Sequence, residues 1–520
     1  MTDPAPRTLP VEPDTADEFD VVVIGGGPVG ENAADRAGRT GLRVALVEAE
    51  LVGGECSYWA CMPSKALLRP GAALAAAAAV PGIADAASAV SLDVPAVLAW
   101  RDAMTSGWDD AGQVEWLESA GITLVRGHGR LAGERLVAVD PPDDPSRSGP
   151  EGRGGEPLLL RARCAVVVAT GGVPRLPDIP GLATARPWGS REATAASAVP
   201  ESLAIIGGGV VATEMATAYA DLGARVTVLA RHGLLGGAEP FAGEEVCAGL
   251  RSLGVDVRTG VKVGAVERAE EGGPVTLHLD GVDAPVTAAE VLVATGRVPR
   301  TADLGVRSVG LEPGRALTVD DTTAVRGVPG TGGVPWLYAC GDVTGRAATT
   351  HQGKYQARVA GDVVAARFGD PATEGAPTAG DAPPSDGNPP APWTRYAATA
   401  DAVATPQVVF TRPQVAWVGL TERAARDRGL SVRVVRYDLG HVAGASVTAQ
   451  GYAGTGQVVV DEARRVVVGA TFTGPDAGEL LHAATVAVVG EVPLDRLWHA
   501  VPAYPTLSEV WLRFLEGYGL

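Results

Sequence analysis

Two stretches of the chain repeat one pattern of apolar and polar positions. An apolar run, Val21–Ile24, is followed by glycines, then by a segment with helical spacing through Arg39, then by a second apolar run, Val44–Val47, that stops at Glu48. This order predicts strand, turn, helix and strand, a single βαβ unit. From Leu203 to His232 the same elements recur in the same order and at nearly the same spacing, which predicts a second unit of the same kind. Two further apolar runs, from Val166 and from Val291, are each closed by Ala-Thr-Gly and read as strands returning to the two sheets. The alanine-rich stretch Ala66–Val90 contains Arg69, Pro70 and Pro81, so it reads as a small-residue helix packed in protein and not as a membrane span.

Punctuation divides the rest. Residues 1–18 are rich in proline and acid without periodicity and read as a disordered lead-in. From Gly369 to about Trp393 the chain is Pro-, Gly-, Asp- and Ala-rich, and residues 369–402 read as an exposed linker. Beyond it, β-branched runs such as Gln407–Phe410, Val432–Val435 and Val458–Val460 alternate with helical stretches such as Ala477–Val489, the pattern of an α+β domain. At 520 residues the chain exceeds one hydrophobic core. Its net charge of −18 repels phosphate backbones and anionic membrane surfaces, so neither nucleic acid nor membrane is expected as a partner. Five cysteines in this length do not make a disulfide scaffold, and the acidic, proline-containing amino end lacks the basic start and apolar run of a signal peptide. A cytoplasmic protein is expected.

The chemistry sits on the repeated units. Gly25, Gly27 and Gly30 form a GxGxxG turn between strand and helix: one glycine makes the turn, one lets backbone approach a pyrophosphate, and one lets helix and strand pack. Glu48, closing the second strand, is placed to accept from an adenosine ribose. In the second unit Gly207, Gly209 and Ala212 repeat the turn, but the matching strand ends Ala230-Arg231-His232. A guanidinium there suits a 2′-phosphate, so NADPH is favoured over NADH. Cys56 and Cys61 lie in GGECSYWACMPSK. On a regular helix that offset separates their Cα atoms by roughly 8–9 Å, beyond the limit of about 7 Å for a disulfide. A bridge would need a distorted turn, for which Gly53, Gly54 and Pro63 give the means. The spacing alone leaves open two ordinary buried thiols.

These motifs together resemble the pyridine nucleotide-disulfide oxidoreductases, the FAD flavoproteins that include dihydrolipoamide dehydrogenase, glutathione reductase and mercuric reductase. The likeness runs from Phe19 through GGECSYWACMPSK, the second glycine unit, ATGRVP at Ala294–Pro299, LYACGDVTG at Leu337–Gly345, VVFTRPQVAWVGLTE at Val408–Glu422, GATFTGPDAGELLH at Gly469–His482 and PTLSE at Pro505–Glu509. The resemblance implies an α/β fold with two Rossmann-like FAD- and NAD(P)-binding domains and a carboxyl-terminal α+β dimerisation domain. It implies FAD-binding parts at 19–187 and 304–368, an NAD(P)H-binding domain at 188–303, and a homodimer formed through 403–520. FAD and NADPH (or NADH) are the implied cofactors, with no metal. Cys61 is implied as the flavin-proximal thiol in a charge-transfer pair, and Cys56 as the interchange thiol exposed to substrate. Lys65 is implied near the flavin and paired with Glu214, and Asp342 at the ribityl or pyrophosphate region, with Gly129, Thr170, Gly171 and Gly296 among the cofactor-contact positions. Cys164, Cys247 and Cys340 match no redox position and read as packed thiols.

One departure falls where substrate chemistry is decided. Family members that handle dithiols carry a histidine before the proline of the terminal motif and a glutamate that orients it. Here the text is AYPTLSE, with Tyr504 at the histidine position and Glu509 retained. A phenol of pKa about 10 is no neutral-pH base, and lost acid–base help costs on the order of 10²–10⁴ in rate. His499 is the nearest alternative imidazole. Mercuric reductases carry a second cysteine pair near the carboxyl end, and WLRFLEGYGL has none. The expected activity is electron transfer from NAD(P)H through FAD to a Cys56–Cys61 disulfide and on to a disulfide or another small-molecule acceptor. The alternatives are an NAD(P)H:quinone reductase (diaphorase) that uses the flavin directly, and a flavin-binding sensor with vestigial catalysis.

Overall fold

The computed structural model describes residues 16–141, 157–270, 272–328, 330–373 and 389–520. Its contacts divide the chain into two compact units. The first combines the described parts of Met1–Gly54, Asp110–Gly172 and Pro299–Ala398. Its sheet orders the strands Thr123–Arg126, Val44–Glu48, Asp17–Ile24, Leu158–Val168, Leu136–Asp140 and His128–Gly133, and Leu337–Ala339 also pairs with Leu158–Val168. The strands from Thr123–Arg126 to Leu158–Val168 run parallel, as does Leu337–Ala339, and the last two form an antiparallel edge. Val21 and Val23 enter a cluster with Ala33 and Ala37 of the helix Pro28–Gly38 and with Val363 of the helix Thr350–Phe368. Val22 and Ile24 enter the cluster on the opposite face with Leu131 and Leu160. Both faces are covered, which is why this strand reads as an unbroken apolar run and not as an alternation.

The second unit combines Glu55–Asp109, Val173–Val298 and Thr399–Leu520. A parallel sheet orders Asp256–Thr259, Arg225–Ala230, Ser202–Ile206 and Glu290–Val293. An antiparallel sheet of Val263–Arg268, Val275–Leu279 and Val282–Ala288 accompanies it. The carboxyl-terminal part is a five-stranded antiparallel sheet in the order Gln407–Val409, Gln414–Gly419, Val466–Gly474, Thr455–Asp461, Val432–Asp438. Its core includes Phe472 of the strand Val466–Gly474, Leu480 and Ala484 of the helix Ala477–Val489, and Phe514 of the helix Val510–Tyr518.

Four details differ from the sequence reading. The first strand begins at Asp17, inside the expected lead-in, because Asp17 and Glu18 pair with Leu160 and Arg161; residues 1–15 lie outside the described residues. Within the expected linker, 374–388 also lie outside them, but Tyr396, Ala397 and Ala398 are buried and Ala400–Val403 is helical. There the Ala398 N–H donates to the Asp321 carbonyl (2.7 Å), which holds the segment against the first unit's sheet core. The alanine-rich stretch is one helix, Cys61–Ala78, that runs through Pro70, followed by the short helix Ala84–Ser88. Finally, Glu55–Asp109 groups with the second unit, although the sequence reading placed it in 19–187. The physical cause is that Leu67 and Leu68 share a core with Met215 and Tyr219 of the helix Val210–Asp221.

Candidate active site

In the first unit the carboxyl ends of three neighbouring parallel strands each open into a glycine-bearing turn. Gly25 follows Ile24 with φ +104°, and a Cβ there would meet the Ala169 carbonyl oxygen at 2.5 Å. Gly30 lies against the Gly25 carbonyl oxygen, which leaves no room for a side chain. Gly27 caps the helix Pro28–Gly38, and a Cβ on it would find only the Gly54 Cα, at 3.8 Å. The Gly53 N–H donates to the Gly26 carbonyl (2.8 Å), closing the Gly53–Gly54 turn onto the first. Glu48 accepts from the N–H of Gly26 at 2.7 Å and of Glu50 at 2.6 Å. Burial nonetheless pushes its carboxyl above the ordinary carboxylate range, against the pull of those two hydrogen bonds.

Thr170 and Gly171 follow the second strand end. The Thr170 hydroxyl donates to the Arg300 carbonyl (2.9 Å), and Gly171 takes φ +70°. At the third end Gly341 donates its N–H to Gln356 Oε1 (2.7 Å), and Asp342 opens a short 3-10 turn. Gly129 is packed beneath Ile24 and Val47, where a Cβ would come within 2.9 Å and 3.0 Å. The expected positions Gly25, Gly27, Gly30, Glu48, Thr170, Gly171 and Asp342 are thus gathered at one edge of one sheet, the edge at which parallel α/β sheets take ligands. Open space at Gly27, a carboxylate at the strand end at Glu48 and a helix that starts at the turn fit a dinucleotide.

The second unit repeats the device. Gly207 has φ +137° against the Ala294 carbonyl, Gly209 caps the helix Val210–Asp221 with open space at its Cβ position, and Ala212 is fully buried beneath it. Arg231 and His232 are exposed just past the strand Arg225–Ala230. Gly296 takes φ +111°, and its carbonyl accepts from the Arg175 N–H (2.9 Å). Glu214, only 3% exposed, uses both oxygens: one accepts from Lys65 Nζ at 2.9 Å and the other from the Phe410 N–H at 3.0 Å. The Lys65 ammonium also stands 5.1 Å from the Phe410 ring centroid. The sequence reading gave Phe410 no part in the site, because its hydrogen bond to Glu214 is made by a backbone N–H that carries no side-chain signature.

The two cysteines lie on different helices. Cys56 belongs to Gly54–Tyr58 and Cys61 opens Cys61–Ala78, and between them Ala60 takes φ −139°, ψ −94°. Both are half-buried. Glu55, beside Cys56, forms an ion pair with Arg297. The guanidinium of Arg191 stacks 3.9 Å from the Trp59 ring centroid, and the Thr194 hydroxyl donates to the Trp59 carbonyl (2.9 Å). The sequence reading did not name Arg191, Trp59 or the Glu55–Arg297 pair, whose partners are far apart in the chain. Cys340 is fully buried, and burial pushes its thiol up to about 12; burial also raises the Cys164 thiol.

Tyr504 and Glu509 do not meet. The Tyr504 side chain is 76% exposed, whereas Glu509 is buried, with Oε2 lacking a partner among the described residues and Oε1 at 3.9 Å from Arg513. His499 is exposed. Among the described residues no helix is long and apolar enough to cross a membrane.

Residues 19–357 match the family described as pyridine nucleotide-disulphide oxidoreductase, and residues 405–513 match the dimerisation domain of that family. A dihydrolipoyl dehydrogenase of Chlorobaculum tepidum is 31% identical, over 95% of this chain and 96% of its own. A mercuric reductase of Shigella flexneri is 32% identical, over 94% of this chain and 79% of its own. Among solved structures, the HOCl-induced flavoprotein disulfide reductase RclA of Escherichia coli superposes with a TM-score of 0.75 at 22% identity, covering 96% of this chain and 99% of that one. LpdA of Mycobacterium tuberculosis does so with a TM-score of 0.75 at 23% identity, covering 97% and 100%.

Proposed function

The chain belongs to the pyridine nucleotide-disulphide oxidoreductase family, and from that premise we propose that it moves electrons from NADPH through FAD to a Cys56–Cys61 disulfide and on to a small acceptor that needs no imidazole base. The observation that supports this reading is the break at Ala60, which puts Cys56 and Cys61 on separate helices, so that the regular-helix spacing that would forbid a bridge does not apply to them. Bound FAD supplies a two-electron carrier between the nicotinamide and the disulfide. Gly25, Gly27, Gly30, Glu48, Gly129, Thr170, Gly171 and Asp342 are the residues we assign to holding it. Gly207, Gly209, Ala212 and Gly296 are assigned to NADPH, and Arg231 to its 2′-phosphate.

Lys65, fixed by Glu214, offers an ammonium whose position is set on two sides, by the carboxylate and by the Phe410 ring. Opening the disulfide breaks one S–S bond, consumes two electrons and two protons, and leaves both thiols. In this reading Cys61 receives the electrons and Cys56 passes them to the acceptor. Tyr504 supplies an O–H donor where other family members supply imidazole, and Glu509 shapes the terminal segment. We assign FAD binding to 19–187 and 304–368, NADPH binding to 188–303 and dimerisation to 403–520, and place the enzyme in the cytoplasm.

An anaerobic titration of the purified flavoprotein with NADPH tests the route. Uptake of twice the electrons that the flavin alone accepts, with a long-wavelength band lost in Cys61→Ser, is the expected result. Uptake limited to the flavin's share removes the cysteines from the path and favours direct reduction of a quinone. Negligible oxidation of NADPH against any acceptor would favour the flavin-loaded sensor.

A further inference from the structure

One acid of the first unit has no part in the reading above. Glu31 sits in the first turn of the helix Pro28–Gly38, four residues past its Gly27 cap, and its Oε1 is buried with no hydrogen-bond partner among the described residues. The residue as a whole is half-buried. Two residues earlier, at Val29, the helix comes close to the helix Thr350–Phe368, where a Cβ on Gly353 would lie within 2.7 Å of Val29.

The charged groups that face Glu31 are few. Lys354, next to Gly353, attracts its negative form, and Glu48 at the end of the strand Val44–Glu48 repels it. Glu48 offers no donor, since both its oxygens are occupied by backbone N–H groups. On Glu31's own helix, Asp35 is paired with Arg39 at 2.7 Å, and Arg36 with Asp362 at 2.8 Å. The strands Asp17–Ile24 and Leu158–Val168 carry their charged residues toward their starts and end in the apolar runs Val21–Ile24 and Ala165–Val168. Desolvation dominates this balance and pushes the Glu31 carboxyl up to about 7.

We propose that Glu31 is the proton-linked residue of the FAD site: binding of the dinucleotide traps it as the neutral acid, so each FAD bound draws one proton from solvent onto the Glu31 carboxylate. This rests on the assignment of the Gly25–Gly30 turn to FAD. The glycine turn places the pyrophosphate, which is negatively charged, at the same helix terminus. A second negative charge in that buried space is repelled, whereas the protonated acid offers an O–H donor to an acceptor-rich ligand. The sign follows by linkage. Below about pH 7 the free protein already carries the proton and FAD binds with full affinity. Above it the proton must be taken up, so the Kd for FAD rises by about tenfold per pH unit.

The test uses full-length apoprotein titrated with FAD by flavin fluorescence between about pH 6 and 9, for wild type, Glu31→Gln and Asp35→Asn. Calorimetric titrations in buffers of different ionisation enthalpy count protons directly. The expected result is a rising Kd and uptake of about one proton for wild type above neutrality, both abolished in Glu31→Gln and retained in Asp35→Asn, whose carboxylate is already paired with Arg39. A wild-type affinity that does not change with pH overturns the proposal, as does a slope and proton uptake that persist in Glu31→Gln. Should Glu31→Gln not fold, Glu31→Leu is titrated in its place, and the same loss of slope and proton uptake is required of it. Failure of wild type to bind FAD at any pH would instead overturn the assignment of the turn.

Discussion

Replacing either member of the Lys65–Glu214 pair should cost stability unequally, and the inequality follows from their surroundings. The charges are 2.9 Å apart, with the glutamate side chain 4% exposed and the lysine 37% exposed. Their attraction is ~6 kcal/mol at an effective dielectric of 20 and ~1.4 kcal/mol at that of water. Desolvation of the carboxylate offsets much of the larger figure, and the half-exposed lysine pulls the net value toward the smaller, so the coupling should lie at about 1–3 kcal/mol. Glu214→Gln keeps an acceptor for the Phe410 N–H and leaves a lysine that turns to water, at a cost of about 2 kcal/mol. Lys65→Met leaves a buried charge with one backbone donor, at a cost of about 3–5 kcal/mol. The double variant should cost less than the sum by the coupling. Native-state hydrogen exchange over the helix Val210–Asp221 and at Phe410 reads these differences locally, without requiring that the whole chain unfold in one step. Equal costs for the two single variants, or additivity within about 0.5 kcal/mol, would refute the reasoning.

Three other outcomes are expected. Gly30→Ala should purify without flavin, since its Cβ meets the Gly25 carbonyl oxygen, and the ratio of protein to flavin absorbance reports this directly. Arg231→Ala should raise KM for NADPH by about tenfold or more while leaving KM for NADH within about twofold, as the loss of a charge-assisted phosphate contact of ~1.5–3 kcal/mol would do; parallel changes for both nucleotides would remove Arg231 from the 2′-phosphate site. Tyr504→His should gain activity toward small disulfides, by up to about 10² if an imidazole restores general acid–base help, and its rate should show a titration near neutrality that wild type lacks.

The parts of this molecule legible in its sequence are those where one residue type answers one local demand. Gly25 and Gly207 occupy positive φ against a carbonyl, and the apolar run Val21–Ile24 is buried on both faces; each leaves a mark that can be read without the fold. The Lys65–Glu214 pair came from family resemblance, because its members lie 149 residues apart and only folding joins them. Phe410, Arg191 and Arg297 went unread for a related reason: their contributions are a backbone N–H, a stacked guanidinium and an ion pair, all set by tertiary packing. The linker reading failed at Tyr396–Ala398 because proline-rich neighbours mask three residues that are buried against the sheet.

The two glycine turns also separate what the fold demands from what the ligand demands. At Gly25, Gly30 and Gly207 a side chain would collide with backbone carbonyl oxygens, so no second substitution elsewhere makes room, and such positions are closed to drift whether or not a nucleotide is ever bound. At Gly27 the nearest obstacle is 3.8 Å away, and at Gly209 none lies within 4 Å. Nothing in the chain itself forbids alanine at these two positions; on the proposed reading only the incoming pyrophosphate does. A lineage that stopped needing one cofactor would lose glycine there first, one site at a time and with its architecture unharmed, so the identities at 27 and 209 in relatives record which of the two nucleotides each has kept.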